Sequence, residues 1–127
     1  MYSKIILAVG FVLWATLQSH AHEMTPAYPK LKPAFMDGVS VAKLKLFNRR
    51  FDMEHYLIEV FTYDWKPIPF ASATKIINLK LNKAKLFKVY IRSEDVKRTV
   101  YICTTSKLFK STKQVTLISS RICSKIK

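Results

Sequence analysis

The residues of this chain best suited to chemistry are Cys103 and Cys123, the histidines His22 and His55, and eight scattered carboxylates. The cysteines lie in stretches that alternate with period two, the pattern of strands covered on both faces. In TVYICTTS, Val100, Ile102 and Thr104 alternate with Tyr101, Cys103 and Thr105, and in QVTLISSRIC, Val115, Leu117, Ser119, Arg121 and Cys123 share a face. The polar KLFKSTK between them reads as a hairpin loop. Antiparallel pairing then sets Cys103 against Cys123, and a disulfide is expected, because two cysteines allow one intramolecular pairing. Closing a loop of about 20 residues stabilises a fold by roughly 3 kcal/mol on the chain-entropy account. The alternative is a pair of buried thiols.

The second constellation depends on processing. Residues 1–21 read as a signal peptide, with Lys4 as the positive n-region, IILAVGFVLWATL as the apolar run and Ser19-His20-Ala21 as a small-x-small cleavage site. Cleavage after Ala21 makes His22 the N-terminal residue, so that its α-amine and imidazole together could chelate copper(II), a metal suited to nitrogen ligands in tetragonal geometry. His55 and Met24 are the further candidate ligands. The opening His-Glu-Met-Thr-Pro is similar to that of exported immunoglobulin-like copper carriers of the CopC type. The alternative is a solvated terminal histidine and no cofactor.

Enzymatic chemistry finds little support. A nucleophile needs a base beside it, and neither His22 nor His55 stands in a motif with a serine or cysteine. Gly38 is the only glycine after residue 21, which excludes Gly-rich phosphate loops and the G-x-S-x-G elbow. The carboxylates show no spacing that pairs them for glycoside hydrolysis. A non-enzymatic protein is expected.

The same leader fixes the compartment. Its 13-residue apolar run is short of the roughly 20 residues that span a bilayer, so a secreted or periplasmic protein with no permanent membrane anchor is expected. An oxidising compartment suits the disulfide. The whole chain carries 22 Lys and Arg against 8 Asp and Glu, a net charge of +14. Such a surface attracts anionic partners. Nucleic acid would be the candidate in the cytosol, whereas export favours anionic lipid or cell-wall polymer.

The elements that must position these residues are strands. His22 to Asp37 carries Pro26, Pro29 and Pro33 and is expected to be extended and mostly outside the sheet. Val39 to Phe47 reads as the first core strand with Ala42, Leu44 and Leu46 inward, then Glu54 to Thr62 with Tyr56, Ile58 and Val60 on one face. Tyr63 to Pro67 is a turn, and the prolines around Ile68 confine IPF to an edge or a crossover. Ala73 to Leu81, with Ile77, Leu79 and Leu81 inward, and a strand ending at Arg92, with Phe87, Val89 and Ile91 inward, follow. Ser93 to Arg98 is expected to form one helical turn capped by Ser93. About six to seven antiparallel strands, with no helical period after residue 21, predict an all-β, immunoglobulin-like sandwich over 38–127. Tyr101, two residues before Cys103, has the spacing of a tyrosine corner, although any tyrosine on a sheet face would show it.

The order of elements from Val39 to Leu108 resembles the N-terminal immunoglobulin-like domain of periplasmic pilus chaperones, the PapD-like superfamily. The likeness is carried by VSVAKLKLFNRR (39–50), by YLIEVF with the downstream Pro69-Phe70, and by FKVYIR (87–92). The resemblance covers about 70 residues, lacks the family's second domain and its conserved-type loop before the sixth strand, and implies the fold together with partner binding by strand addition. The chain, with its HEMTP opening and SSRICSKIK ending, is also similar to short exported proteins of marine tailed phages. The expected function is therefore an exported, chaperone-like module that binds a protein partner through a strand edge. The candidate edges are IPF with its neighbours and the last strand, with Val115, Leu117, Ile118 and Ile122 as contact residues. Attachment of the basic protein to an anionic envelope surface and copper binding are the alternatives. Lys80, Lys83, Lys85 and Lys88 would equally serve to blunt an edge against aggregation.

Overall fold

The computed structural model describes residues 22–107 and 119–127. The expected leader, and Val115, Leu117 and Ile118 of the expected last strand, lie outside the described residues.

Two antiparallel sheets face each other, as the alternation of apolar side chains requires. In the first, β3 (Val39–Phe47) is central, with β6 (Ala84–Arg92) on one side and the short β1 (Glu23–Thr25) and β2 (Lys32–Pro33) sharing the other. The second runs in the order β5 (Ile76–Asn78), β4 (His55–Phe61), β7 (Tyr101–Lys107), β8 (Arg121–Lys125). Ala42, Leu44 and Leu46 of β3 and Phe87, Val89 and Ile91 of β6 meet Tyr56, Ile58 and Val60 of β4, with Ile77 and Ile102 between. Among the described residues no helix is long and apolar enough to cross a membrane.

The terminal hairpin has the expected register. Cys103 lies opposite Cys123 and the two form a disulfide with Cα atoms 4.0 Å apart. Tyr101 makes no corner; its ring stacks on Trp65, centroids 4.3 Å apart.

Two expectations gain detail and two need correction. Most of the Pro-rich segment lies outside strands, but its two short strands pair with the two ends of β3. Its prolines fall where an amide donor is dispensable, Pro33 on an edge strand and Pro26 and Pro29 where their carbonyls accept bonds from Ser124 Oγ and the Lys127 amide. The strand expected from Ala73 to Leu81 shrinks to β5, since the chain at Ala71 is bonded to β6 instead, and Leu81 sits exposed in the turn before Asn82. Among the described residues the strands number eight, counting the two-residue β2. Finally, Ser93–Arg98 is a 3-10 helix without a side-chain cap from Ser93. It is held by the Asp95 carboxylate, which accepts from Arg98 at 2.7 Å and from Arg92 at 3.0 Å. The Arg98 and Arg92 hydrogen bonds hold this carboxyl below the usual aspartate range.

Asn48, at the end of β3, uses its whole hydrogen-bonding capacity. Its Nδ2 donates to the Met53 and Leu79 carbonyls, both at 2.7 Å, and its Oδ1 accepts from the Arg50 amide at 2.8 Å and the Tyr56 hydroxyl at 2.5 Å. The residue is fully buried. Asn48→Ala should therefore cost about 2 to 4 kcal/mol, because two carbonyls and a phenol lose their partners out of water; urea unfolding measures it. Removing both cysteines as alanine should cost roughly 2 to 5 kcal/mol in the same assay, and the intact protein should weigh about 2 Da less than its reduced form, one hydrogen per sulfur of the single bridge.

Candidate partner-binding edges

A strand edge can take a partner only where its backbone groups are open, so each edge is a matter of hydrogen bonds. On β8 the alternation turns the even residues toward β7 and leaves Arg121, Cys123 and Lys125 facing out. The Lys125 amide donates to the Ala27 carbonyl at 2.9 Å and the Lys127 amide to Pro29 at 3.0 Å. The segment after β1 thus occupies the C-terminal half of this edge. Ile122, expected as a contact residue, turns inward and packs half-buried against the core.

The IPF stretch is a crossover. The Ile68 amide bonds the Val60 carbonyl of β4 at 2.9 Å, and three residues later Ala71 exchanges two bonds with Tyr90 of β6, at 2.8 and 3.0 Å. The chain has changed sheets between them. It returns by Lys75, whose carbonyl accepts from Ile58 at 2.8 Å.

Among the described residues the open edge that runs beside a groove is the outer edge of β6, from Ala84 to Lys88. Tyr90 gives both backbone groups to Ala71, so it stands at a position that bonds away from β3; two residues on, by alternation, so do Lys88, Leu86 and Ala84. The Lys88 carbonyl accepts from Ser72 Oγ at 2.8 Å. Neither backbone group of Leu86 has a partner among the described residues. Its side chain is 76% exposed. Alongside runs a largely apolar groove of about 610 Å³, with Ala73, Ile77, Leu86 and Phe87 in its wall and Lys43, Lys45, Lys85 and Lys88 around it. No carboxylate lines it. The sequence did carry a signal for this edge: Leu86 is a large apolar residue on the face that β6 otherwise gives to Lys88, Tyr90 and Arg92.

No family model matches the chain, and no curated protein matches it. Among solved structures it is similar to the E. coli chaperone DraB, with a TM-score of 0.63 at 20% identity over 84% of this chain. The fold is immunoglobulin-like. The chain spans about half the length of that structure, 53% of it.

The two histidines are not brought together. His55 and Tyr56 are neighbours on β4 and point to opposite faces, and it is Tyr56 that meets His22, ring centroids 4.6 Å apart. His22 is buried, with Nε2 3.2 Å from the Thr104 carbonyl and 3.0 Å from its Oγ1, and Nδ1 3.2 Å from Ser120 Oγ. A carbonyl only accepts, so Nε2 carries the proton and Nδ1 accepts from Ser120. Met24 is close by, bonded through sulfur to Thr104 Oγ1 at 3.8 Å. Among the described residues no three of His, Cys, Asp and Glu gather as a metal-binding group. Tyr56 is pushed up to about 12 by burial, so its hydroxyl remains a donor to Asn48.

Burial lowers the His22 pKa, with the Arg50 charge acting the same way and the Thr104 bond opposing both. The unfolded chain then binds a proton that the folded chain refuses. Stability contributed by neutral His22 is complete above the unfolded value, about pH 6.5, and falls as pH drops below it, by up to about 1.4 kcal/mol per pH unit. Urea unfolding of the native chain should show this fall between neutral and mildly acid pH, and His22→Gln should remove most of it.

Proposed function

We propose that this chain is an exported, non-enzymatic binding module that takes a protein partner, chaperone-like, by strand addition at the outer edge of β6. The observation that carries the reading is the backbone of Leu86, which has no partner among the described residues and lies beside an apolar groove. An added strand gains affinity from main-chain bonds to Leu86 and Lys88 and selectivity from alternate side chains lying in the groove. Export is supported by the leader pattern and by the disulfide, which persists in oxidising compartments. The chaperone character is supported by the fold shared with DraB.

Leu86→Pro tests the edge at backbone level. Proline removes an amide hydrogen that points away from β3, and edge strands tolerate it there. The variant should keep its fold, with a melting temperature within about 8 °C of the native chain, the shift that roughly 1 kcal/mol produces in a domain of this size. Chemical cross-linking in a periplasmic extract should join the native chain to a protein that the variant no longer captures. Equal capture by both would exclude β6 as the docking edge.

A further inference from the structure

We infer that the strand added at β6 is acidic: an extended segment of a partner protein in which apolar residues alternate with aspartate or glutamate. The inference rests on the strand-addition reading and names the chemistry of its occupant.

The ladder that such a strand would extend has already begun. Ala71 forms its first rung with Tyr90, and Ser72 Oγ reaches the Lys88 carbonyl. From the Lys88 amide to Ala84 the edge has no backbone partner among the described residues, and a partner of about five to seven residues at roughly 3.3 Å each would cover it. Side chains of the added strand would fall alternately on two surfaces. Those directed inward would lie beside Phe87 and Ile77, where an unpaired polar group would lose its water without a partner. Those directed outward would lie beside Leu86 and Lys88, with Lys43 and Lys45 on the next strand.

Charge selects the outward residues. The carboxylates that form ion pairs in this protein are taken mostly by arginine: Glu23 by Arg49, Asp52 by Arg50, Glu94 and Asp95 by Arg92, and Glu59 by Arg121. Lys43, Lys45, Lys85 and Lys88 have no ion-pair partner among the described residues, and no acid lines the groove they surround. Of these, Lys43, Lys45 and Lys88 share the outward face, while Lys85 lies on the face of Phe87; a neutral or basic strand would leave three like charges beside its outward residues, whereas an acidic one sets opposite charges there. Lysines that only guard the edge against aggregation would repel added strands and show no dependence on an added strand's backbone.

The probe is the synthetic peptide Val-Asp-Val-Asp-Val-Asp-Val, titrated calorimetrically into the oxidised chain from which residues 1–21 have been removed. Two controls accompany it: the same peptide with lysine for aspartate, and the acidic peptide N-methylated at alternate residues in each of the two phases. The acidic peptide should bind, at least one methylated phase should bind about tenfold more weakly or worse through lost backbone bonds, and the lysine peptide should not bind. Leu86→Pro should weaken the acidic peptide similarly, and Lys43→Gln with Lys88→Gln should reduce the salt dependence of its binding. Equal binding by both methylated phases, accompanied by binding to phosphatidylglycerol vesicles, would overturn the inference in favour of attachment to an anionic surface. Preference for the lysine peptide, still sensitive to methylation, would overturn the acidic assignment and leave strand addition standing. Failure of every peptide, while Leu86→Pro still abolishes capture from extract, would likewise overturn the acidic assignment alone.

Discussion

The sandwich depends on a single amide. Asn48 lies where the first sheet hands the chain to the second, and its side chain binds the Met53 carbonyl before β4, the Leu79 carbonyl after β5 and the Tyr56 hydroxyl in the core. The segments before β4, within it and after β5 are thereby held to the end of β3. Only a planar group with two donors and two acceptor sites can serve all of them at once, and in a dry interior each bond is stronger and each orphaned group costlier than in water.

A polar core extends from that point. His22, Tyr56, Thr104 and Ser120 belong to the N-terminal segment, the second sheet and the approach to β8, and they are satisfied by one another rather than by solvent. Among the described residues no buried side-chain polar atom lacks a partner. The arrangement ties the start of the chain to its last hairpin, which the disulfide closes independently. The N-terminal strand can then give its next residues, Pro26 to Pro29, to the edge of β8.

Edge management explains why one edge matters. Polypeptides with long open strands invite pairing with other chains, and this fold covers most of its own by letting connecting segments change sheets. The residues around Ala27 cover the C-terminal half of β8, those around Lys66 to Ile68 cover the end of β4, and Ala71 covers one rung of β6. The lower half of β6 is left, with an exposed leucine, an apolar groove and unmatched lysines.

Much of this architecture was legible because period two is a local property. Ala42, Leu44 and Leu46, then Phe87, Val89 and Ile91, announce the core faces of β3 and β6, and the alternation around Cys103 and Cys123 fixes a register that brings the sulfurs together. The open edge of β6 was legible only in the exposed apolar Leu86, because whether its backbone has a partner depends on where residues 71 and 72 lie, far off in sequence. The pairing of β1 and β2 with β3 was hidden by prolines that signal extended chain without saying which sheet accepts it. His22 illustrates the limit most sharply. As a sequence it is a residue beside a cleavage pattern, suited to a metal; only the folding of a hairpin some eighty residues away supplies Thr104 and Ser120 for its nitrogens. Local alternation chooses strands and faces, while long-range hydrogen bonding decides which donors and acceptors remain open.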